Sequence, residues 1–93
     1  MLEKDIEKRL RRKVKKIGGE AYKFESPGNN GVPDRLIILP GGRAYMVETK
    51  KPKTGRVRKL QIYQQNKLRG LGMDVRVIYT NEQIDEFIAE VGK

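Results

Sequence analysis

Leu2, Ile6, Leu10, Val14 and Ile17 recur at helical spacing, and Gly18-Gly19 stops the pattern. This predicts a first helix over about 3–17 with one apolar stripe. "EAYKFES" (20–26) reads as a short strand, and "PGNNGVP" (27–33) as a loop rich in residues that turn or tolerate unusual backbone angles. "DRLIILP" and "RAYMVETK" are apolar runs joined by Pro40-Gly41-Gly42, which predicts a hairpin. After the break at "KPKTG", a polar helix is expected from about 57 to 70, with Leu60, Tyr63 or Gln64, Lys67, Leu68 and Leu71 near helical spacing. "DVRVIYT" (74–80) is the fourth strand. Residues 81–91 form a closing helix built on Ile84, Phe87, Ile88 and Val91.

The predicted order is α-β-β-β-α-β-α, an α/β chain. A strand–helix–strand crossover over 43–80 sets the fourth strand parallel to the third, giving a mixed four-stranded sheet flanked by helices. A length of 93 residues fits one domain, 1–93. The pattern contains no apolar run of the roughly 20 residues a membrane span needs. The N-terminus lacks the apolar stretch of a signal peptide. A cytoplasmic protein with no membrane partner is therefore expected.

Composition narrows the chemistry. There is no Cys and no His. Disulfides, zinc ribbons, thiol nucleophiles, histidine acid/base catalysis and Ser-His-Asp triads are thereby excluded. Catalysis would rest on Asp, Glu, Lys, Tyr, Ser or a carboxylate-bound metal, and carboxylates alone suit hard ions such as Mg²⁺ or Mn²⁺. The net charge of +9 is clustered. Residues 1–16 carry eight basic side chains against Glu3, Asp5 and Glu7, and "KKPKTGRVRK" (50–59) carries six with no acid. Such clusters favour a polyanion, nucleic acid before a membrane surface. The segment holding Lys51, Lys53, Arg56, Arg58 and Lys59 reads either as a phosphate-contacting rim or as a solvated loop.

Against this positive background, two acids stand at the same end of the hairpin. Alternation puts Ala44, Met46, Glu48 and Lys50 on one face of the third strand. With Pro40–Gly42 as the loop, Leu39 opposes Arg43, and the same register sets Asp34 opposite Glu48. Opposed Cβ atoms lie about 4.5–5.5 Å apart. Carboxylates that close repel each other unless a cation sits between them, and Lys50 adds a further positive charge. The same pattern fits a solvated cross-strand ion cluster, and spacing alone leaves both readings open.

"PD" at 33–34 followed by "ETK" at 48–50 resembles the PD-(D/E)xK nuclease motif. The wider stretch "SPGNNGVPDRLIILPGGRAYMVETKKP", followed by "LQIYQQNKLRGLG", resembles the virus-type replication-repair nuclease (VRR-NUC) domain in its stand-alone form, from about Glu3 to Tyr79. The resemblance implies a restriction-endonuclease-like fold and metal-dependent phosphodiester hydrolysis, with no nucleotide cofactor. It implies that Asp34, Glu48 and the main-chain carbonyl of Thr49 hold Mg²⁺ or Mn²⁺. Lys50 would orient the attacking water and stabilise the phosphorane. A glutamate of the first helix would complete the site, Glu3 matching best and Glu7 being the alternative. The family's helix glutamine maps to Gln61, with Gln64 one turn further on; without the resemblance both read as plain helix surface. A structure-selective DNA endonuclease follows, acting on branched or junction-like DNA such as four-way (Holliday) junctions, as a homodimer. A non-catalytic nucleic-acid-binding module and an RNA-processing nuclease remain as alternatives.

Overall fold

A computed structural model of the chain describes residues 2–52 and 54–92. Its elements follow the expected order: α1 (Glu3–Lys16), β1 (Glu20–Lys23), β2 (Arg35–Leu39), β3 (Arg43–Thr49), α2 (Lys59–Gly70), β4 (Asp74–Ile78) and α3 (Asn81–Val91). The strands form one sheet in the order β1-β2-β3-β4. β1 and β2, and β2 and β3, pair antiparallel, while β3 and β4 run parallel. Among the described residues no helix is long and apolar enough to cross a membrane.

Period-four spacing explains the first layer. Ile6, Leu10 and Val14 of α1 are fully buried. They pack with Ile84, Phe87 and Val91 of α3 against Ala21, Ile37, Leu39, Val47 and Ile78 on one sheet face. Each of these side chains larger than Ala21 contributes about 1.5–3 kcal/mol through its removal from water. Tyr45 meets Phe87 edge to face with ring centroids 5.6 Å apart. Thr80 starts α3: its hydroxyl accepts the Gln83 main-chain N–H at 3.1 Å, and the Gln83 side chain accepts the Thr80 N–H.

Hairpin register is set by Gly41 and Gly42, which adopt φ of 85° and 74°. Those left-handed angles strain a residue bearing a Cβ, so the turn closes over three residues and Leu39 pairs with Arg43 as expected.

Several strand and helix ends fall short of the sequence-based bounds, three of them by two or three residues. β1 ends at Lys23 rather than 26, β4 at Ile78 rather than 80, and α2 begins at Lys59 rather than 57. α2 is also turned differently. Leu60, Tyr63 and Leu71 are 48%, 60% and 78% exposed, while Gln64 and Gln65 are its buried residues. The helix covers the sheet face opposite α1 and α3, where Met46 and Val75 are buried and Glu48 requires a polar partner. Gln61 and Gln64 meet polar partners on that face, while Gln65 is buried with its Nε2 unpartnered, so the inward face of α2 is not an apolar stripe.

Candidate active site

The C-terminal ends of β1 and β3 and the N-terminal end of β2 lie at one edge of the sheet, because β2 runs antiparallel to both neighbours. The β2–β3 ladder runs from Leu39↔Arg43 to Arg35↔Val47, and Asp34 stands one residue beyond it, outside the strand. Its carbonyl accepts the Phe24 N–H at 2.8 Å, which extends the β1–β2 pairing past Lys23↔Arg35.

Glu48 is only 5% exposed. Its Oε2 lies 3.6 Å from Lys50 Nζ and accepts Gln61 Nε2 at 3.4 Å. Glu48 and Lys50 thus project side by side, as strand alternation requires. Gln61 Oε1 meanwhile accepts the main-chain N–H of Arg58 at 2.9 Å. One glutamine therefore closes the first turn of α2 and steadies the acid, using both ends of its amide.

Asp34 is half-buried. Burial pushes its carboxyl up to about 7, and the adjoining Glu7 side chain and the charge of Glu48 push the same way; the Thr49 amide works against them. Burial also raises Glu48, opposed by Lys50, with the charges of Glu3 and Glu7 adding to the rise. Neither acid is fully compensated by this chain: Asp34 Oδ1 and Glu48 Oε1 are buried without a hydrogen-bond partner. Two desolvated carboxylates, each with a free oxygen, are a donor set that fits a hard divalent cation. Among the described residues there is no group of three or more acidic side chains disposed to hold a metal. The donors the structure shows are the two carboxylates, Asp34 and Glu48.

The two acids of α1 divide their contacts. Glu3 is exposed in the first turn, its charge reaching Glu48. Glu7, half-buried one turn later, accepts the Thr49 hydroxyl at 3.3 Å and lies 4.0 Å from Arg35. Arg35 and the Thr49 hydroxyl were not among the sequence-derived site residues. A guanidinium opening an otherwise apolar strand, directly after Asp34, was the available signal.

Lys51, Arg56, Arg58 and Lys59 are exposed between β3 and α2, and none forms an ion pair with a described residue. Lys53 lies outside the described residues. On the other side of the site, Gln64 Nε2 donates to the Asn30 carbonyl at 3.2 Å. Gly31 has φ 90°, and a Cβ there would sit 2.9 Å from the Leu60 carbonyl oxygen. The glycine loop is thereby fastened to the same helix that holds Glu48.

No family model matches the chain. Among solved structures it is similar to one described as a VRR_NUC domain, with a TM-score of 0.89 and 29% identity over 96% of each chain. It is also similar to "Putative nuclease p44" of Acyrthosiphon pisum secondary endosymbiont phage 1, 60% identical over 50 residues. That match covers 54% of this chain, and the chain spans about half (54%) of the length of that curated relative.

Proposed function

We propose that this chain, which is a VRR-NUC domain, is a divalent-metal-dependent endonuclease that hydrolyses phosphodiester bonds of branched DNA. The observation that carries the reading is the pair of free, buried oxygens, Asp34 Oδ1 and Glu48 Oε1, beside Lys50 on a chain of net charge +9. A nucleic-acid-binding module would gain nothing from uncompensated acids facing phosphate. The similarity to a phage protein named as a nuclease supports the same class of activity.

The Asp34 and Glu48 carboxylates, with the Thr49 carbonyl, would hold Mg²⁺ or Mn²⁺. When bound, such an ion supplies Lewis acidity toward the scissile phosphate and lowers the pKa of a water molecule. Lys50 orients the attacking water and sets its ammonium charge against the negative charge that grows on phosphorus-bound oxygens. Attack at phosphorus forms a new P–O bond and breaks the ester bond; the attacking water gives up a proton to solvent, and the departing oxygen leaves with a proton drawn from solvent. Gln61 keeps Glu48 in place by donating to Oε2, the same oxygen that Lys50 approaches. An acid of α1 completes the constellation: Glu7 through its contacts with Thr49 and Asp34, and Glu3 through its charge on Glu48. Lys51, Lys53, Arg56, Arg58 and Lys59 position the sugar–phosphate backbone without reading its sequence. A homodimer would present two such sites about a twofold axis, matching the two symmetric strands of a four-way junction.

Incubating the protein with flaps, forks, four-way junctions and plain duplex, in Mg²⁺, Mn²⁺ or EDTA, tests this. Metal-dependent cuts near branch points, symmetric on junctions, are expected. A folded protein that cuts no DNA in either metal refutes the nuclease reading, and cuts confined to plain duplex refute the branch selectivity.

A further inference from the structure

Two aromatic side chains, Tyr22 on β1 and Phe24 one residue past its end, fall by alternation on the sheet face away from α1. Ala21 is buried among the α1 residues, so alternation turns Tyr22 to the opposite face, where it pairs with Leu36 and remains 56% exposed. Phe24 follows two residues on, and its N–H bond to the Asp34 carbonyl carries the strand direction up to the catalytic edge. Phe24 thus occupies the rung opposite Asp34.

Each aromatic also lines an open cavity. Phe24 borders one of about 340 Å³ whose wall is the glycine loop, with Asn29, Asn30, Gly31 and Val32. Tyr22 borders a second, of about 310 Å³, with Ile38 and Pro40, which opens toward the hairpin turn and so lies one step further from the acids along β1. Along a strand, residues two apart stand about 6.8 Å from each other, close to two base steps of roughly 3.4 Å. The exposed cations Lys51, Arg56, Arg58 and Lys59 follow β3, two strands away from β1. The site therefore has an aromatic flank and a cationic flank with the acids between them. Phosphates suit the cationic flank. Beside the aromatics, Lys23 of β1 lies 3.9 Å from Glu25, which offsets its charge.

Flat aromatic faces beside open space suit unpaired nucleobases, because base–aromatic stacking is sequence-tolerant and needs bases that have left the duplex. We propose that Tyr22 and Phe24 form a stacking platform for unpaired bases next to the scissile phosphate, so that among branched DNAs those with unpaired nucleotides at the branch are bound most tightly. This rests on the nuclease reading above and supplies a physical source for branch selectivity. The loop that walls the Phe24 cavity is fixed to α2 through Gln64 and Asn30, so the platform and the acids share one support.

The test places 2-aminopurine at the unpaired nucleotide nearest the branch of a flap substrate, in EDTA, and measures its fluorescence and the Kd on adding wild-type protein. Quenching is expected. Tyr22→Ala and Phe24→Leu should each weaken flap binding by about 5- to 150-fold, the equivalent of about 1–3 kcal/mol per stacked base. Plain duplex binding should fall much less, and Phe24→Tyr should restore quenching. Tyr22→Ala alters an exposed side chain, so its result stands even if Phe24→Leu fails to fold. Wild-type protein that cuts branched DNA without quenching, or variants that lose flap and duplex binding equally, overturns the platform while leaving the nuclease reading intact. Wild-type protein that binds no DNA overturns both.

Discussion

Removing the charge of Asp34 should make the metal-free protein more stable. Its carboxyl is raised from 3.8 to about 7 in the folded chain. At about 1.4 kcal/mol per pKa unit, the full linkage is about 4 kcal/mol. Asp34 is half-buried, and water screens part of this, leaving a penalty on the order of 2 kcal/mol. Above pH 7 both folded and unfolded chains hold the ionised acid, and the folded chain carries the whole penalty. Between pH 7 and about 4 the folded chain takes up a proton that the unfolded chain does not. Stability from this group therefore rises as pH falls through that window, and is lost as pH rises through about 7. Asp34→Asn removes the charge at every pH. In EDTA at pH 8, circular-dichroism melts should place the variant's Tm about 8–16 °C above wild type, a range set by the chain's size. At pH 5 the gap should shrink to about a third. Adding Mn²⁺ should raise wild type by about 2.7 kcal/mol at a hundred times its Kd and leave the variant nearly unmoved. A variant no more stable than wild type at pH 8 in EDTA would refute the argument that burial of this charge is uncompensated.

Three further outcomes are expected. Lys50→Ala should lower kcat by about 10²–10³ while keeping the Mn²⁺-dependent rise in Tm; a change in substrate affinity alone would make Lys50 a phosphate anchor. Replacing Arg56, Arg58 and Lys59 with Ala should weaken binding to all DNA shapes and reduce the slope of log K against log salt by close to one unit per lost phosphate contact. An unchanged slope would move the DNA path elsewhere, with Lys8, Arg11, Arg12 and Lys15 of α1 the next surface to change. Light scattering at micromolar concentration should give twice the 10.7 kDa of one chain; the monomer mass would sink the homodimer and, with it, the symmetric junction cut.

Much of the architecture is legible in the chain because the α1 and α3 faces and the hairpin obey apolar periodicity and turn chemistry. Ile6, Leu10 and Val14 announce their own burial, and Pro40-Gly41-Gly42 fixes a register that brings Asp34 beside the Glu48 position. The inward face of α2 is illegible by that method. Leu60, Tyr63 and Leu71 share helical spacing yet point outward, because the surface α2 meets offers Glu48 and the Asn30 carbonyl, and amides satisfy those where methyl groups cannot. The division of contacts between Glu3 and Glu7 was also hidden. Both lie on one helix face, and only the docking of α1 onto Thr49 and Arg35 distinguishes them.

The contacts that hold the site together join remote parts of the chain. Glu7 and Thr49 are 42 positions apart, Asn30 and Gln64 34, and Glu48 and Gln61 13. Closing loops of that size costs entropy that is recovered only after both helical layers have docked on the sheet. Local structure such as α1 or the hairpin can therefore form early without assembling any two of these pairs. A nascent or partly unfolded chain carries every residue of the site and none of its geometry. Competence to cut would then switch on only with completion of the fold, which keeps a basic, DNA-seeking polypeptide harmless while it is being made.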